Sequence, residues 1–207
     1  MGSGRVFLVD EEKLLAEPMP SCPRHWVKLG GADFGWDHPA AFVEMWHDRD
    51  MDVLYLVRTL RLRHKTPLQH VEAVRHWRLR WAWPHDGRNQ TLAGAGVALA
   101  RQYQDAGLDM MIEHATFEDG GMSVEAGVQE MHDRMRGRRW KVFRGQNDEW
   151  LEEYSMYHRK DGLLVKEGDD AISASRYALM MLRFGQSAAG RASFNREIAY
   201  PKNTGYI

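Results

Sequence analysis

Four aspartates sit where a fold can gather them: Asp33 in Gly31-Ala32-Asp33-Phe34-Gly35, Asp86 in Trp83-Pro84-His85-Asp86-Gly87, and the pair in Gly168-Asp169-Asp170-Ala171. Each stands beside a glycine or at the predicted start of a helix. Carboxylates are hard oxygen donors, so a converging set suits Mg²⁺ or Mn²⁺ rather than zinc. A divalent ion held between acids can activate a water and stabilise a leaving oxygen. Taken singly, Asp86-Gly87 reads as a turn and Asp169-Asp170 as a helix cap. The joint placement carries the chemical reading. His38, His85, Glu113 and His114 are candidates for outer-shell contacts, each with a plain solvated or structural reading as well.

The elements that must position the acids can be read from periodicity. A strand over about Trp26 to Asp33 ends on the first acid. Ala40 to Trp46 and Val53 to Arg63 follow across short turns, which predicts an antiparallel meander. Thr66-Pro67-Leu68-Gln69 has the form of a capping box with Pro at the first helical position. A short strand over Trp81 to Asp86 ends on the second acid, and a helix over Gln90 to Ala106 stops at Gly107. Asp109 to Glu113 predicts a strand, Ser123 to Arg138 a helix, Trp140 to Phe143 a strand, and Asp148 to Met156 a helix. Asp161-Gly162 marks a type I′ hairpin within Tyr157 to Val165. The last helix opens at Asp169-Asp170 and runs to about Phe184. The pattern predicts an α/β fold: a mixed central sheet, antiparallel meander first and parallel strands after, with helices on both faces and an extra β-hairpin. If the second acid's strand lies parallel beside the first, both acids share the sheet edge where α/β folds bind ligands.

Residues 1–25 read as a tag remnant (Met1-Gly2-Ser3-Gly4) followed by a proline-rich lead-in, 26–184 as the domain, and 185–207 as a tail without periodicity. Phe7-Leu8-Val9 reads as a short strand or as packing for a linker. At 207 residues and 43% hydrophobic content the chain can bury a sizeable core. A net charge of −1 excludes a uniformly basic nucleic-acid-binding body. The single cysteine, Cys22, excludes an internal disulfide and a cysteine-rich zinc site. No apolar run reaches the ~20 residues that span a bilayer, and no secretory signal is evident.

The three acid-bearing strings, with Pro39-Ala40-Ala41 after the first and Gly168 to Ala178 as the most specific, resemble the C-terminal nuclease domain of phage terminase large subunits, the headful DNA-packaging motors. The likeness covers about Trp26 to Arg183 and is nearest to short-tailed phages of enteric bacteria. It implies a ribonuclease H-like fold, related to integrases and Holliday-junction resolvases. It implies an endonuclease with one or two Mg²⁺ or Mn²⁺ ions, cutting concatemeric viral double-stranded DNA during packaging. Carried over, the metal and catalytic acids are Asp33, Asp86 and an acid of the Asp169-Asp170 pair. At 100° per residue, Ala171, Ala174, Ser175, Ala178 and Leu182 line one face, with Asp170 at its edge and Asp169 nearly opposite. Asp170 is therefore preferred as ligand, and Asp169 as cap or supporting group. At Ser173, where the family often has a further acid, this chain departs, which leaves the number of ions open. The resemblance also places the hairpin beside the site, where Arg159 and Lys160 would reach phosphates. Implied partners are an ATPase domain of the full-length protein (no GxxxxGK[ST] occurs here), the portal and the small terminase subunit. No membrane is involved, and the setting is the host cell cytoplasm. A junction-specific resolvase and a non-catalytic docking module are the alternatives.

Overall fold

The lead-in is built into the molecule. In the computed structural model, which describes residues 4–88 and 98–187, Phe7 and Leu14 are fully buried in the main core. Strand β1 (Gly4–Arg5) and strand β2 (Leu15–Ala16) both pair with later strands. Apolar side chains flanked by polar ones over 5–16 are enough to dock a segment that prolines then keep extended. The reading of this stretch as a linker is corrected accordingly.

The meander forms as predicted: β3 (Val27–Asp33), β4 (Ala40–Asp48) and β5 (Val53–Leu62) are successive antiparallel neighbours. Helix α1 (Pro67–Val74) carries the capping box, with Thr66 accepting from the Gln69 N–H and Gln69 reaching back. The next strand, β6, is only Arg80–Ala82, parallel to β3. Pro84 has no N–H to continue the ladder, and one turn of 3₁₀ helix, His85–Arg88, follows. Asp86 thus stands on that turn rather than at a strand end. Helix α2 is Leu99–Asp105, and the earlier part of the predicted helix, from Gln90, lies outside the described residues.

Strand β7 is Asp109–Met110. Beyond it the Met111 and Ala115 N–H groups donate to the Trp81 and Trp83 carbonyls, so the ladder goes on irregularly. Helix α3 (Val124–Arg136), strand β8 (Trp140–Phe143) and helix α4 (Asp148–Met156) come next. The hairpin is β9 (His158–Lys160) with β10 (Leu163–Leu164), and Asp161 and Gly162 have the positive φ of the predicted turn. Helix α5 (Asp170–Met180) then leads to β11 (Gln186–Ser187). β11 pairs with Val27 and Lys28, so the tail begins as part of the sheet.

The main sheet runs β2-β8-β5-β4-β3-β6-β7, with β11 on β3. β3 is thus flanked by an antiparallel and a parallel neighbour. Side chains alternate across it. Ala32 lies opposite Phe42, which meets His70 of α1 and Tyr103 of α2. Gly31 and Asp33 face the other way, onto α5. No helix among the described residues is long and apolar enough to cross a membrane.

Candidate active site

Glycine at position 31 lets the site form. A Cβ there would lie 2.0 Å from the carbonyl oxygen of Ala174, so α5 rests its backbone directly on β3. Ala171, Ala174, Ser175 and Ala178, the small-residue face expected from sequence, are fully buried against the sheet. This contact sets the start of α5 beside the end of β3. Asp170 is buried, Asp169 and Asp33 are half-buried, and Asp86 is exposed.

Burial pushes the Asp33 carboxyl well above the usual range. The charges of Asp170, Asp86 and Asp169 push it further, and Arg176 opposes them. The fold therefore brings together all four aspartates singled out from the sequence. Burial and then Asp170 likewise raise Asp169. Asp170 Oδ1 lies 3.0 Å from His38 Nδ1, while its buried Oδ2 has no hydrogen-bond partner. Hard oxygens, one of them orphaned, and acids destabilised as anions by one another suit a divalent cation. No three of these acids bring ligand atoms within 4.8 Å of one another, so closing on an ion requires side-chain rotation. Among the described residues only His25, Asp48 and Asp50 are that close, at the opposite end of β3, with two of the three exposed.

The cap expected of Asp169 is supplied from elsewhere. Asp169 makes no capping bond to α5 and receives only a 3.5 Å contact from Ser173 Oγ. The Ile172 N–H instead donates to Glu153 Oε2 at 2.9 Å. Glu153 is fully buried and held by Arg61, whose Nε is 3.3 Å from Oε1. The sequence reading missed this carboxylate. Its signal was position: Glu153 shares the buried stripe of α4 with Trp150 and Tyr154.

Arg176 and Tyr177, nearly two turns further into α5, were also missed as site residues. The buried Arg176 stem packs on Gly127, and its charge lowers Asp33 and Asp169. The Tyr177 hydroxyl is raised by burial, then by the charges of Asp33 and Asp86.

Of the other candidates, His38 touches Asp170 and His85 packs edge-on to His114, with ring centroids 4.8 Å apart. Glu113 does not join the site. It lines a cavity with Arg80, Met111, Met181 and Phe184 at the far end of α5. On the hairpin, Arg159 is held by both oxygens of Glu125 (2.9 and 2.6 Å), so a phosphate must compete for it. Lys160 is exposed.

Glu153 has a consequence for stability. Burial pushes its carboxyl up to about 7, despite the Ile172 N–H and Arg61. The native state then holds a proton that the unfolded chain releases near the ordinary value of 4.5. Stability therefore falls as pH rises through roughly 4.5 to 7, by on the order of 3 kcal/mol from this group. Thermal melts between pH 5 and 8 should show that decline, and Glu153→Gln should flatten it. Equal slopes in both proteins would refute the assignment.

A mixed sheet of this order, with carboxylates gathered where β3, the turn after β6 and α5 meet, defines a ribonuclease H-like nuclease domain. The profile of the terminase RNaseH-like domain matches residues 30–182, and the chain belongs to that family. It is 43% identical over 205 residues to the terminase large subunit of Salmonella phage P22, covering 98% of this chain and 39% of that protein. The structure of the P22 large terminase nuclease domain superposes with a TM-score of 0.84 at 43% identity, covering 92% of this chain and 97% of that one. The nuclease domain of the SPP1 large terminase, solved with bound Mn, shares the fold at a TM-score of 0.53 and 17% identity, covering 74% and 85% of the two chains. The chain is thus a terminase large subunit nuclease domain and spans about two-fifths of the length of the curated relative.

Proposed function

We propose that this domain is a Mg²⁺- or Mn²⁺-dependent endodeoxyribonuclease that cuts concatemeric viral DNA during genome packaging. The observation that carries the reading is the convergence of Asp86, Asp169 and Asp170 on Asp33, together with an unpartnered Asp170 Oδ2. Manganese bound in the SPP1 relative supports it. Asp33, Asp86 and Asp170 would hold one or two ions, with Asp169 beside them. Bound there, a divalent cation supplies an activated water and stabilises the departing 3′ oxygen.

The chain's own groups do the positioning. Asp33 is central, since each of the other three acids acts on it. Glu153 and Gly31 fix the start of α5 and hence Asp170. Arg176 limits the repulsion at Asp33 and Asp169. His38 holds one Asp170 oxygen while the other, buried, has no hydrogen-bond partner.

In the full-length protein, an ATPase domain on the same chain would deliver double-stranded DNA, with the portal and small terminase subunit as partners in the host cytoplasm. A near-neutral domain should bind DNA weakly and lose affinity as salt rises, which suits delivery by a motor. Supercoiled plasmid incubated with this domain and Mn²⁺ or Mg²⁺ should be nicked and linearised, and Asp170→Asn should abolish this. Intact plasmid with wild type under both metals, or equal cutting by Asp170→Asn, would overturn the proposal.

A further inference from the structure

Beside the acids lies a cavity of about 480 Å³ that the metal chemistry does not use, lined by Phe34, Trp36, His38, Lys65, His70 and Tyr103 among others. It shares a wall with the acid site. Phe34, Gly35 and Trp36 directly follow Asp33, and His38, whose ring bonds Asp170, stands between the two. Its floor is aromatic: Phe34 stacks on Tyr103 with centroids 4.5 Å apart. His70 is 1% exposed, bonds the Tyr103 hydroxyl through Nδ1, and carries a buried Nε2 with no partner. The rim differs in character. Trp36 is 54% exposed, a large cost in apolar area for a residue held in place by its carbonyl bond from the His64 N–H. Lys65 is exposed next to it.

We infer that this cavity is a nucleobase subsite, taking one unstacked base of the DNA strand whose phosphate lies at the acids. The inference rests on the nuclease reading above and specifies its substrate. The exposed Trp36 indole at the cavity rim offers stacking to any base. Lys65, exposed at the rim, offers charge to the adjoining phosphate. A paired base stack cannot enter a concavity of this size, so the base must leave the stack. The domain should therefore favour strands that are unpaired beside the cut.

The probe is a single-stranded oligonucleotide containing 2-aminopurine, titrated with this domain at low salt. Wild type should quench the 2-aminopurine. Trp36→Ala should bind about ten-fold more weakly without quenching, and Trp36→Phe should restore both. Thermal melts and Mn²⁺ titration should show all three proteins equally folded and equally able to bind the ion. Equal binding and quenching by wild type and Trp36→Ala overturns the subsite alone, provided wild type cuts plasmid with Mn²⁺. If wild type neither cuts plasmid nor binds the oligonucleotide, the nuclease reading falls and the subsite with it.

Discussion

Asp33→Asn should make the domain more stable and nearly inactive. Removing one preorganised electrostatic contact from an active site lowers turnover by about 10²–10³-fold, and Asp33 is the acid on which the other three act. Plasmid cleavage in Mn²⁺ should fall by at least that factor. Stability should move the other way. Burial, and then the charges of Asp170, Asp86 and Asp169, hold the Asp33 carboxyl well above its ordinary value of 3.8. The native state therefore retains a proton that the unfolded chain loses, and stability falls as pH rises from that value through the raised one. At pH 8 the metal-free protein bears a larger penalty than at pH 4. The amide carries no charge, so its melting temperature without metal should exceed that of wild type at pH 8, with the difference shrinking toward pH 4.

A cation reverses the comparison. At a hundred times its Kd an ion stabilises the folded state by about 2.7 kcal/mol, which is roughly 5–10 °C in Tm for a chain of this size. Wild type should show that rise with Mn²⁺ and Asp33→Asn little of it. Melting scans with and without Mn²⁺ at pH 8 check both signs together. A metal-free variant less stable than wild type would mean that Asp33 is held by favourable contacts rather than strained for function.

Much of this site was legible because the acids announce themselves locally. Asp33 sits where an apolar strand meets a glycine turn, and Asp170 sits at the edge of the small-residue face of α5, so strand and helix periodicity placed both. Sequence periodicity is blind to contacts made across long stretches of chain. Glu153 caps α5 from a different helix, 19 residues before Ile172, and a helix start with two aspartates had already supplied a local candidate for that cap. Glu113 failed for the same reason in reverse. It lies near His114 in the chain, yet β7 ends at Met110 and the following residues turn it toward the far end of α5. The short lead-in strands were hidden because two residues carry no period, and only their pairing partners, Val142, Phe143 and the β9 strand, reveal them.

The substitution with the largest structural effect should be the smallest chemically: Gly31→Ala. Nothing in the backbone torsion at Gly31 demands glycine, and the constraint is the helix above it. An added Cβ would meet the Ala174 carbonyl oxygen at 2.0 Å and the Ala178 Cβ at 3.1 Å. The first of these is backbone and cannot rotate away, so α5 must lift or slide. Gly30→Ala is the informative control, because there the clash is with the Trp81 ring at 2.4 Å, on the opposite face of the sheet. Overpacking of a well-packed core costs about 1–3 kcal/mol, sometimes more, and a rigid opponent places Gly31→Ala at or above the upper figure.

Both variants should therefore melt several degrees below wild type, at about 2–4 °C per kcal/mol. Only Gly31→Ala should also lose Mn²⁺ affinity and cleavage out of proportion to its stability. Lifting α5 carries Asp170 away from Asp33, whereas a displaced Trp81 leaves the acids where they are. Mn²⁺ titration by calorimetry at 15 °C, where both proteins are folded, separates the two outcomes. Equal Mn²⁺ affinity in Gly31→Ala and Gly30→Ala would show that the acid geometry is set by something other than the close seating of α5 on β3.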